Sequence, residues 1–285
     1  MIPFDWVEPD SLKEAVSLLD PSDSGVRPVA GGTALMLMMK PGIFVPTRLV
    51  SLARIERSYS TICVDGDGGV RVGAMASLAQ LERSTDAITR FPLMKRAIRT
   101  LSNIRVRNVA RVGGALAHGD PHMDLPPLFA ALGARVSVVG PDATREIAIE
   151  DLYLGYYQTV LKNNELIAHA IIPPLNGARA AYIKVTSRAA DDWPSLCIGV
   201  RVEMADAGTI RSARMVLGAA SERVTRLAAT EKLLSAAVPN EATLKQAAEC
   251  AAAEARFIPD AHGSASYKRE LLRVYLPRAI QEALA

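Results

Sequence analysis

The spacing of apolar residues along the chain predicts a succession of strands and helices. Leu12, Ala15, Val16 and Leu19 recur at the spacing of one helix face, and Asp10 before them is a suitable N-cap. Short apolar runs that end at glycine, proline or charged residues predict strands. These predicted strands cover 27–30, 49–52, 61–64, 70–73, 135–139, 145–149 and 165–172. Helical spacing returns at 34–40, 77–82, 92–97 and 125–132.

The pattern changes after Pro173 and Pro174, because neither a strand ladder nor a helix accommodates a double proline. Longer strands follow at 181–186, 196–204 and 210–217, and alanine-rich helices come after them at 223–234, 241–255 and 267–284. Strands followed by helices are typical of an α+β domain, here with an antiparallel sheet of three strands. We therefore predict two domains, residues 1–174 and 175–285, which are called the N-terminal and C-terminal regions below.

Composition and charge exclude several classes of function. Hydrophobic residues make up 49% of the 285 residues, which is enough for one large core or two moderate ones. The 33 Lys and Arg nearly balance the 30 Asp and Glu, and no basic run is present, so nucleic acid is not an expected partner. The sequence shows no signal-peptide pattern and no apolar run long enough to cross a membrane. We therefore expect a cytoplasmic protein without membrane insertion.

The three cysteines limit the redox chemistry of the chain itself. Cys63, Cys197 and Cys250 lie far apart in apolar surroundings. That pattern favours buried thiols over a disulfide framework or an iron–sulfur cluster held wholly within this chain.

Two segments with paired glycines are the candidates for ligand binding. In the first, residues 29–35, Gly31 and Gly32 stand between a predicted strand and a predicted helix. Glycines there let the backbone approach a ligand, and free N–H groups at the start of the helix attract an anion such as a pyrophosphate. The same dipeptide also occurs in ordinary tight turns, so this segment alone leaves both interpretations open. The glycines within 65–69 predict only a hairpin turn, because no helix follows them.

The second segment, residues 111–126, repeats the pair as Gly113 and Gly114. Four polar residues then follow at alternating positions: His118, Asp120, His122 and Asp124. Two imidazoles and two carboxylates could be metal ligands, but the glycines and prolines around them prevent a regular strand, and we predict no metal site. Nucleophile motifs such as Gly-x-Ser-x-Gly are missing, so we predict no catalytic side chain and expect a bound cofactor to carry the chemistry.

Taken together, these segments resemble the FAD-binding subunit of the molybdenum hydroxylases, the group of carbon monoxide dehydrogenase and xanthine dehydrogenase. That family has an Ala-Gly-Gly-x-x-Leu loop, here residues 30–35, and a Thr-Ile-Gly-Gly-Asn loop, here residues 111–115. Further matches follow in the family's order. Residues 119–126 are similar to the family's Asp-Pro-x-x-Asp-Leu-Pro, and residues 164–173 are similar to its Gly-Glu-Leu-Leu with a later Ile-Pro. Lys184 and residues 188–193 stand where the family has a Lys and an Arg-rich, Asp-aromatic stretch, and residues 266–269 stand where it has Glu-Tyr-Arg. The resemblance covers essentially the whole chain.

The resemblance implies an α+β fold with two FAD-binding subdomains of the p-cresol methylhydroxylase type, followed by a C-terminal α+β domain. It places FAD in the cleft between them, with residues 30–35 and 112–114 at the pyrophosphate. The implied cofactor-binding residues are Val29, Ala30, Gly31, Gly32, Thr33, Ala34, Leu35, Arg111, Val112, Gly113, Gly114, Ala115, His118, Asp124, Leu166, Ile167, Lys184 and Trp193.

Five of these residues have specific implied roles. Asp124 would bind ribityl or ribose hydroxyls, and Leu166 or Ile167 would pack beside the adenine or the flavin. Lys184 would stabilise the anionic reduced flavin, with a solvated strand lysine as the alternative interpretation. Trp193 would stack on the isoalloxazine ring, with a core tryptophan as its alternative.

Two positions depart from the family pattern. Arg111 stands where the family has a threonine whose hydroxyl bonds a phosphate, and Ala115 stands where it has an asparagine that bonds the ribityl chain. Arg111 could replace the threonine as a cationic phosphate ligand, or it could point into solvent and weaken FAD binding.

The resemblance also implies a function and partners. The chain would be an electron-transfer subunit with FAD as its one redox centre, beside a large subunit with molybdopterin and a small subunit with [2Fe-2S] clusters, in a dimer of heterotrimers. The electron acceptor could be oxygen, a quinone or NAD. A protein of the same fold without tight FAD binding and an independent flavin oxidase are the alternative functions.

Overall fold

The computed structural model describes residues 3–285, whose strands form separate sheets. The strands are β1 (Asp5–Val7), β2 (Val26–Val29), β3 (Arg48–Ser51), β4 (Ile62–Val64), β5 (Val70–Gly73), β6 (Arg135–Val139), β7 (Thr144–Ala148), β8 (Tyr153–Gly155), β9 (Gln158–Thr159), β10 (Leu166–Ile172), β11 (Arg179–Val185), β12 (Leu196–Met204), β13 (Ile210–Gly218) and β14 (Thr225–Arg226). No helix in this part of the chain is both long and apolar enough to span a membrane.

The helices lie between and after these strands. They are α1 (Leu12–Ser17), α2 (Thr33–Met39), α3 (Leu78–Arg83), α4 (Thr85–Arg90), α5 (Leu93–Arg99), α6 (Ile104–Val109), α7 (Val112–Ala117), α8 (Leu125–Ala131), α9 (Ala228–Leu234), α10 (Glu241–Glu254) and α11 (Ala265–Leu284). Two short 3-10 turns occur at Arg57–Ser60 and Ile149–Asp151.

The first sheet is small and parallel, in the order β1-β3-β2. Its core side chains include Val26 and Val50, which pack against the apolar face of α1. The helix begins as its apolar spacing predicts, but its N-cap is Ser11 instead of the predicted Asp10, because the Ser11 hydroxyl accepts the Glu14 N–H.

The second sheet is antiparallel and has the order β4-β5-β10-β6-β7. The predicted hairpin at 65–69 is confirmed, since the Asp65 N–H bonds the Gly69 carbonyl between β4 and β5. Helices α3, α5, α7 and α8 cover the sheet with a continuous cluster of buried apolar side chains. The cluster also contains Tyr182, Cys197 and Val216 from the C-terminal region, so both regions contribute to it.

The C-terminal sheet has four strands in the order β11-β12-β13-β14, not the three predicted. The extra strand β14 occupies part of the predicted helix 223–234, which in fact begins at Ala228. The carboxylate of Glu231 explains this start, because it accepts the Met215 N–H and the Arg226 guanidinium and so holds the chain beside β13. Helix α11 packs on β11 and β12, and α10 packs on α11 and α9, which completes a second core.

Close packing joins α8 of the N-terminal region to β12 and β13 of the C-terminal region. A Cβ on Gly199 would lie 2.6 Å from the Ala131 Cβ, and a Cβ on Gly218 would lie 2.6 Å from the Pro127 Cγ. Any side chain at either strand position would therefore separate α8 from the sheet. The two glycines set the distance between the regions.

Three helices have no counterpart in the sequence prediction: α4, α6 and α7. Helix α7 includes both glycines of the second pair, in a segment that the sequence predicts as irregular. It forms because the Val112 N–H bonds the Ala76 carbonyl and the Gly113 N–H bonds the Ala74 carbonyl, which holds its first turn in place.

Candidate functional site

The first double-glycine segment connects the end of β2 to the start of α2. Gly31 lies against α6, since a Cβ there would stand 2.2 Å from the Val109 carbonyl oxygen. Gly32 has φ +68° and is the N-cap of α2, without a side-chain cap hydrogen bond. The first N–H groups of a helix have no partner within the helix, so this start is suited to an anion. Residues 29–35 are all half-buried.

The second double-glycine segment opens only one glycine to a ligand. The N–H groups of Val112 and Gly113 already bond backbone carbonyls, and both residues are buried. Gly114 is exposed, and a Cβ there would meet nothing within 4 Å. Of the three residues 112–114 that the resemblance places at the pyrophosphate, Gly114 alone has open space in front of its backbone.

Arg111 stands at the N-cap of α7 and carries a polar atom without a partner. Its Nε is buried and makes no hydrogen bond within residues 3–285. A buried donor that lacks an acceptor is costly, so an anion beside it would be stabilising. This observation fits the first of the two interpretations of Arg111, the cationic phosphate ligand. Ala115 after it is half-buried and offers no polar group.

Asp124 and Lys184 form a buried ion pair that the sequence does not predict. The Lys184 Nζ lies 2.9 Å from the Asp124 Oδ2 and 2.9 Å from the Thr100 carbonyl oxygen. Only 5% of the Lys184 side chain is exposed, which excludes the solvated strand lysine. Burial raises the pKa of Asp124, and the Lys184 ammonium opposes that rise. The predicted contacts of these two side chains with FAD stay predictions, because each already has a protein partner.

The Asp124 carboxylate also binds side chains of the C-terminal sheet. The Tyr182 hydroxyl donates to its Oδ1 at 3.1 Å, and the Cys197 thiol lies 3.6 Å from the same oxygen. Sequence reasoning missed Tyr182 and Thr100. Strand alternation could have indicated Tyr182, since it stands two residues before Lys184 and therefore on the same face of β11.

The remaining predicted residues differ in their exposure. Leu166 and Ile167 are only 4% and 7% exposed and lie in apolar clusters, so their predicted contact with a ring stays a prediction. Trp193 is 40% exposed in the loop between β11 and β12, which excludes a core tryptophan. Its ring meets the His122 ring edge-on, with 6.2 Å between centroids.

The four alternating polar residues of the second segment face different partners. Asp124 binds Lys184, while the His118 ring meets the Tyr157 ring with 5.2 Å between centroids. Asp120 and His122 bind each other, with 3.2 Å between Oδ1 and Nδ1. Burial lowers the pKa of His118, so that imidazole is neutral at physiological pH. The segment thus divides into an ion-pair position, an aromatic contact and an Asp–His pair.

Comparison with known proteins decides the family. The profile described as the FAD binding domain in molybdopterin dehydrogenase matches residues 2–175, and that of the CO dehydrogenase flavoprotein C-terminal domain matches residues 181–283. This chain belongs to the family of FAD-binding medium subunits of molybdenum hydroxylases. The resemblance stated from the sequence is therefore confirmed, and so is FAD as the cofactor of the family's domain.

Two relatives of this flavoprotein family match along nearly their full length. The carbon monoxide dehydrogenase medium chain of Hydrogenophaga pseudoflava is 32% identical over 290 residues, which cover 100% of this chain and 99% of the relative. The glyceraldehyde dehydrogenase medium chain of Sulfolobus acidocaldarius is 27% identical over 281 residues, 98% of each chain.

A solved structure confirms the predicted α+β architecture. Carbon monoxide dehydrogenase from Hydrogenophaga pseudoflava, in a form that lacks the Mo-pyranopterin moiety, superposes with a TM-score of 0.93 at 31% identity. The superposition covers 100% of this chain and 99% of that chain. The open start of α2, the open space at Gly114 and the unpartnered Arg111 Nε all fit an anionic cofactor of the family's kind.

Proposed function

We propose that this flavoprotein is the electron-transfer subunit of a molybdenum hydroxylase complex. It would receive electrons from [2Fe-2S] clusters of a small subunit, after a large molybdopterin subunit has oxidised the substrate, and pass them to an external acceptor. The observation that carries the proposal is the match of the whole chain to medium chains of dehydrogenases. A dimer of heterotrimers and a cytoplasmic location remain predictions from the sequence.

The chain's own residues would hold the cofactor in three ways. The N–H groups at the start of α2, behind Gly32, would bind the pyrophosphate together with the backbone at Gly114. The Arg111 guanidinium would neutralise phosphate charge, since its Nε has no partner in the described residues. Bound FAD supplies the redox chemistry, because a flavin exchanges electrons one or two at a time.

The positions of the three cysteines favour iron–sulfur clusters in a partner subunit. The predicted burial of the cysteines is correct for Cys197 but wrong for Cys63, which is exposed, while Cys250 is half-buried. The three lie in β4, β12 and α10, in separate parts of the fold. Cluster ligation requires several thiolates around one group of iron atoms, so clusters that deliver electrons would belong to another subunit.

Flavin binding is tested on the purified chain with and without added FAD. We expect flavin absorbance in the wild type, or its return when FAD is added. For Arg111→Gln we expect a dissociation constant of FAD about tenfold higher, which corresponds to the loss of one charge-assisted hydrogen bond. Arg90→Gln is the matched control, because Arg90 is exposed and binds the Gly68 carbonyl away from both glycine pairs. A wild type that never binds FAD would support the alternative of a same-fold protein without the cofactor.

Electron transfer is tested on the complex isolated from its native source. We expect this chain to co-purify with a large and a small subunit, and its flavin to be reduced when substrate is added. Removal of the small subunit should stop flavin reduction while substrate oxidation with an artificial acceptor continues. A lone polypeptide that turns over substrate at full rate would instead support the independent flavin oxidase.

A further inference from the structure

His122 lies between two carboxylates that come from distant parts of the chain. Its Nδ1 is 3.2 Å from Asp120 Oδ1, and its Nε2 is 2.9 Å from Asp260 Oδ2. Asp120 belongs to the loop between α7 and α8, whereas Asp260 belongs to the loop between α10 and α11. The His122 side chain is 15% exposed, so water has limited access to this contact. One imidazole therefore connects the N-terminal region to the C-terminal region.

The two contacts fix the charge of the ring. Ionised carboxylates only accept hydrogen bonds, and a neutral imidazole has one N–H to donate. Both contacts form as hydrogen bonds only when His122 is an imidazolium. Lys268, whose side chain is 1% exposed, also binds Asp260 and donates to the Ala219 carbonyl oxygen at 2.6 Å. The positive charges of His122 and Lys268 thus neutralise the negative charges of Asp120 and Asp260.

The same cluster supports the segment that carries Trp193. The Ser195 hydroxyl, two residues after Trp193, donates to the His262 carbonyl oxygen at 2.7 Å. His262 follows Asp260 closely, and its ring centroid is 5.0 Å from that of His122. The ring of Trp193 also contacts the His122 ring edge-on. The rings of His122, His262 and Trp193 together are called the wall below. The position of Trp193 therefore depends on how the loop of Asp260 is held.

We propose that His122 is a positioning residue, which in its doubly bonded imidazolium form clasps the Asp120 loop to the Asp260 loop and holds Trp193 at the cofactor cleft. Loss of its proton would open one of the two contacts and release the wall. The part of this inference that concerns FAD rests on the proposed function. The clasp between the two loops does not.

The surrounding charges agree with this geometry. Burial opposes the charge on His122, but the hydrogen bonds to Asp120 and Asp260 outweigh it and raise the pKa of the imidazole. Both carboxylates have a lowered pKa, because their bonds to His122 and, for Asp260, to Lys268 exceed the effect of burial. The other titratable and charged groups near the cluster are His118, Tyr156, Tyr157, Glu222, Arg256, His262 and Lys268.

The sign of the pH effect follows from the raised pKa of His122. The folded chain binds this proton more tightly than the unfolded chain, so the stabilisation is complete below the ordinary value of 6.5. It is lost as the pH rises through the higher folded pKa. The clasp is therefore closed in mildly acid solution and opens toward alkaline pH.

The first test uses the protein without FAD and follows its four histidines by NMR. The resonance that is absent from the spectrum of His122→Gln belongs to His122. In the wild type this resonance should titrate with a midpoint above pH 6.5, and Asp120→Asn should lower that midpoint. Asp120→Asn also covers the case in which His122→Gln does not fold. A His122 midpoint at or below 6.5 would overturn the proposal.

The second test follows Trp193 fluorescence in a Trp6→Phe background, since the chain has two tryptophans. An imidazolium beside an indole quenches its emission. The emission of Trp193 should therefore rise as the pH increases through the midpoint of the His122 titration. His262→Gln should keep this profile because its backbone carbonyl still binds Ser195, and His122→Gln should lose it. An identical pH profile in His122→Gln would refute the positioning role.

The third test measures the dissociation constant of FAD across the same pH range. We expect about tenfold weaker binding above the His122 midpoint in the wild type, in the range of ordinary coupling between sites, and a flat profile in His122→Gln. A wild-type profile that is also flat would overturn the link to the cofactor. Absence of FAD binding in every variant would contradict the proposed function, and the first two tests would still decide on the clasp.

Discussion

The two double-glycine segments have the same dipeptide and different surroundings. In each segment one glycine packs against protein: Gly31 against the Val109 carbonyl, and Gly113 against Ala74. The other glycine of each pair, Gly32 or Gly114, has no backbone close to the position of a Cβ. A glycine pair in this fold therefore combines one position required for packing with one position available to a ligand.

The helices that follow the two pairs also differ. The start of α2 has no side-chain cap, whereas the first two N–H groups of α7 bond the carbonyls of Ala76 and Ala74. Anion binding by free N–H groups is thus suited to the first segment. In the second segment, the charge of Arg111 and the open backbone at Gly114 provide the corresponding features.

The largest expected effect is that of Gly31→Ala. Its Cβ would meet the Val109 carbonyl oxygen at 2.2 Å, and backbone moves less readily than a side chain. We expect a loss of about 3 kcal/mol or more in the free energy of unfolding, at the upper end of overpacking costs. Urea denaturation measures it. Gly66→Ala is the control with nothing within 4 Å, and equal stability of both variants would contradict the packing role of Gly31.

A smaller loss is expected for Gly113→Ala. The new Cβ would lie 2.6 Å from the Ala74 Cβ, a less severe overlap than the 2.2 Å contact at Gly31, so we expect a loss of about 1–3 kcal/mol. The double variant with Ala74→Gly should lose less than the sum of the two single variants, because the second change removes the clash. Strict additivity in denaturation experiments would show that the two residues do not collide.

Gly32→Val should reduce both stability and FAD binding. The left-handed φ of +68° costs a residue with a side chain about 1–2 kcal/mol, and the side chain would enter the space proposed for the pyrophosphate. Gly42→Val is a matched control, since Gly42 has φ +78° and lies beyond the other end of α2. We expect equal stability losses but loss of flavin absorbance only for Gly32→Val. Retention of FAD by Gly32→Val would remove this loop from the site.

The smallest effect on stability is expected for Gly114→Ala. Its Cβ would meet nothing within 4 Å, and alanine is favoured over glycine in a helix by up to about 1 kcal/mol. The unfolding midpoint should therefore stay the same or rise, while the dissociation constant of FAD increases. Unchanged FAD affinity would place the cofactor away from α7, and a large loss of stability would show that the position is packed.

Two strands were predictable from the sequence with their bounds, β6 and β12. In β6 the buried valines alternate with less buried residues, and β12 begins with five buried residues in a row. Helix α6 was not predictable in the same way, since its residues alternate between apolar and polar as in a strand. Its structure depends on the Asn103 side chain, which accepts the N–H groups of Arg105 and Val106.

The site was predictable as a set of segments but not as a set of contacts. The glycine pairs and Arg111 could be recognised from local sequence, and their contacts with FAD remain predictions. The ion pair of Asp124 with Lys184 joins residues 60 positions apart, and the clasp of His122 with Asp260 joins residues 138 apart. Only the packing of α8 and α11 on their sheets brings such residues together. The local pattern of apolar and polar residues does not predict contacts between residues so far apart in the chain.

The glycines that face α8 have a consequence for recombination between relatives. A chimera that takes residues 1–174 from this chain and the rest from another member would replace Gly199 and Gly218 with that parent's residues. Any larger residue there would meet Ala131 or Pro127 at once. Exchange of the two regions therefore requires parents that both have glycine at these strand positions.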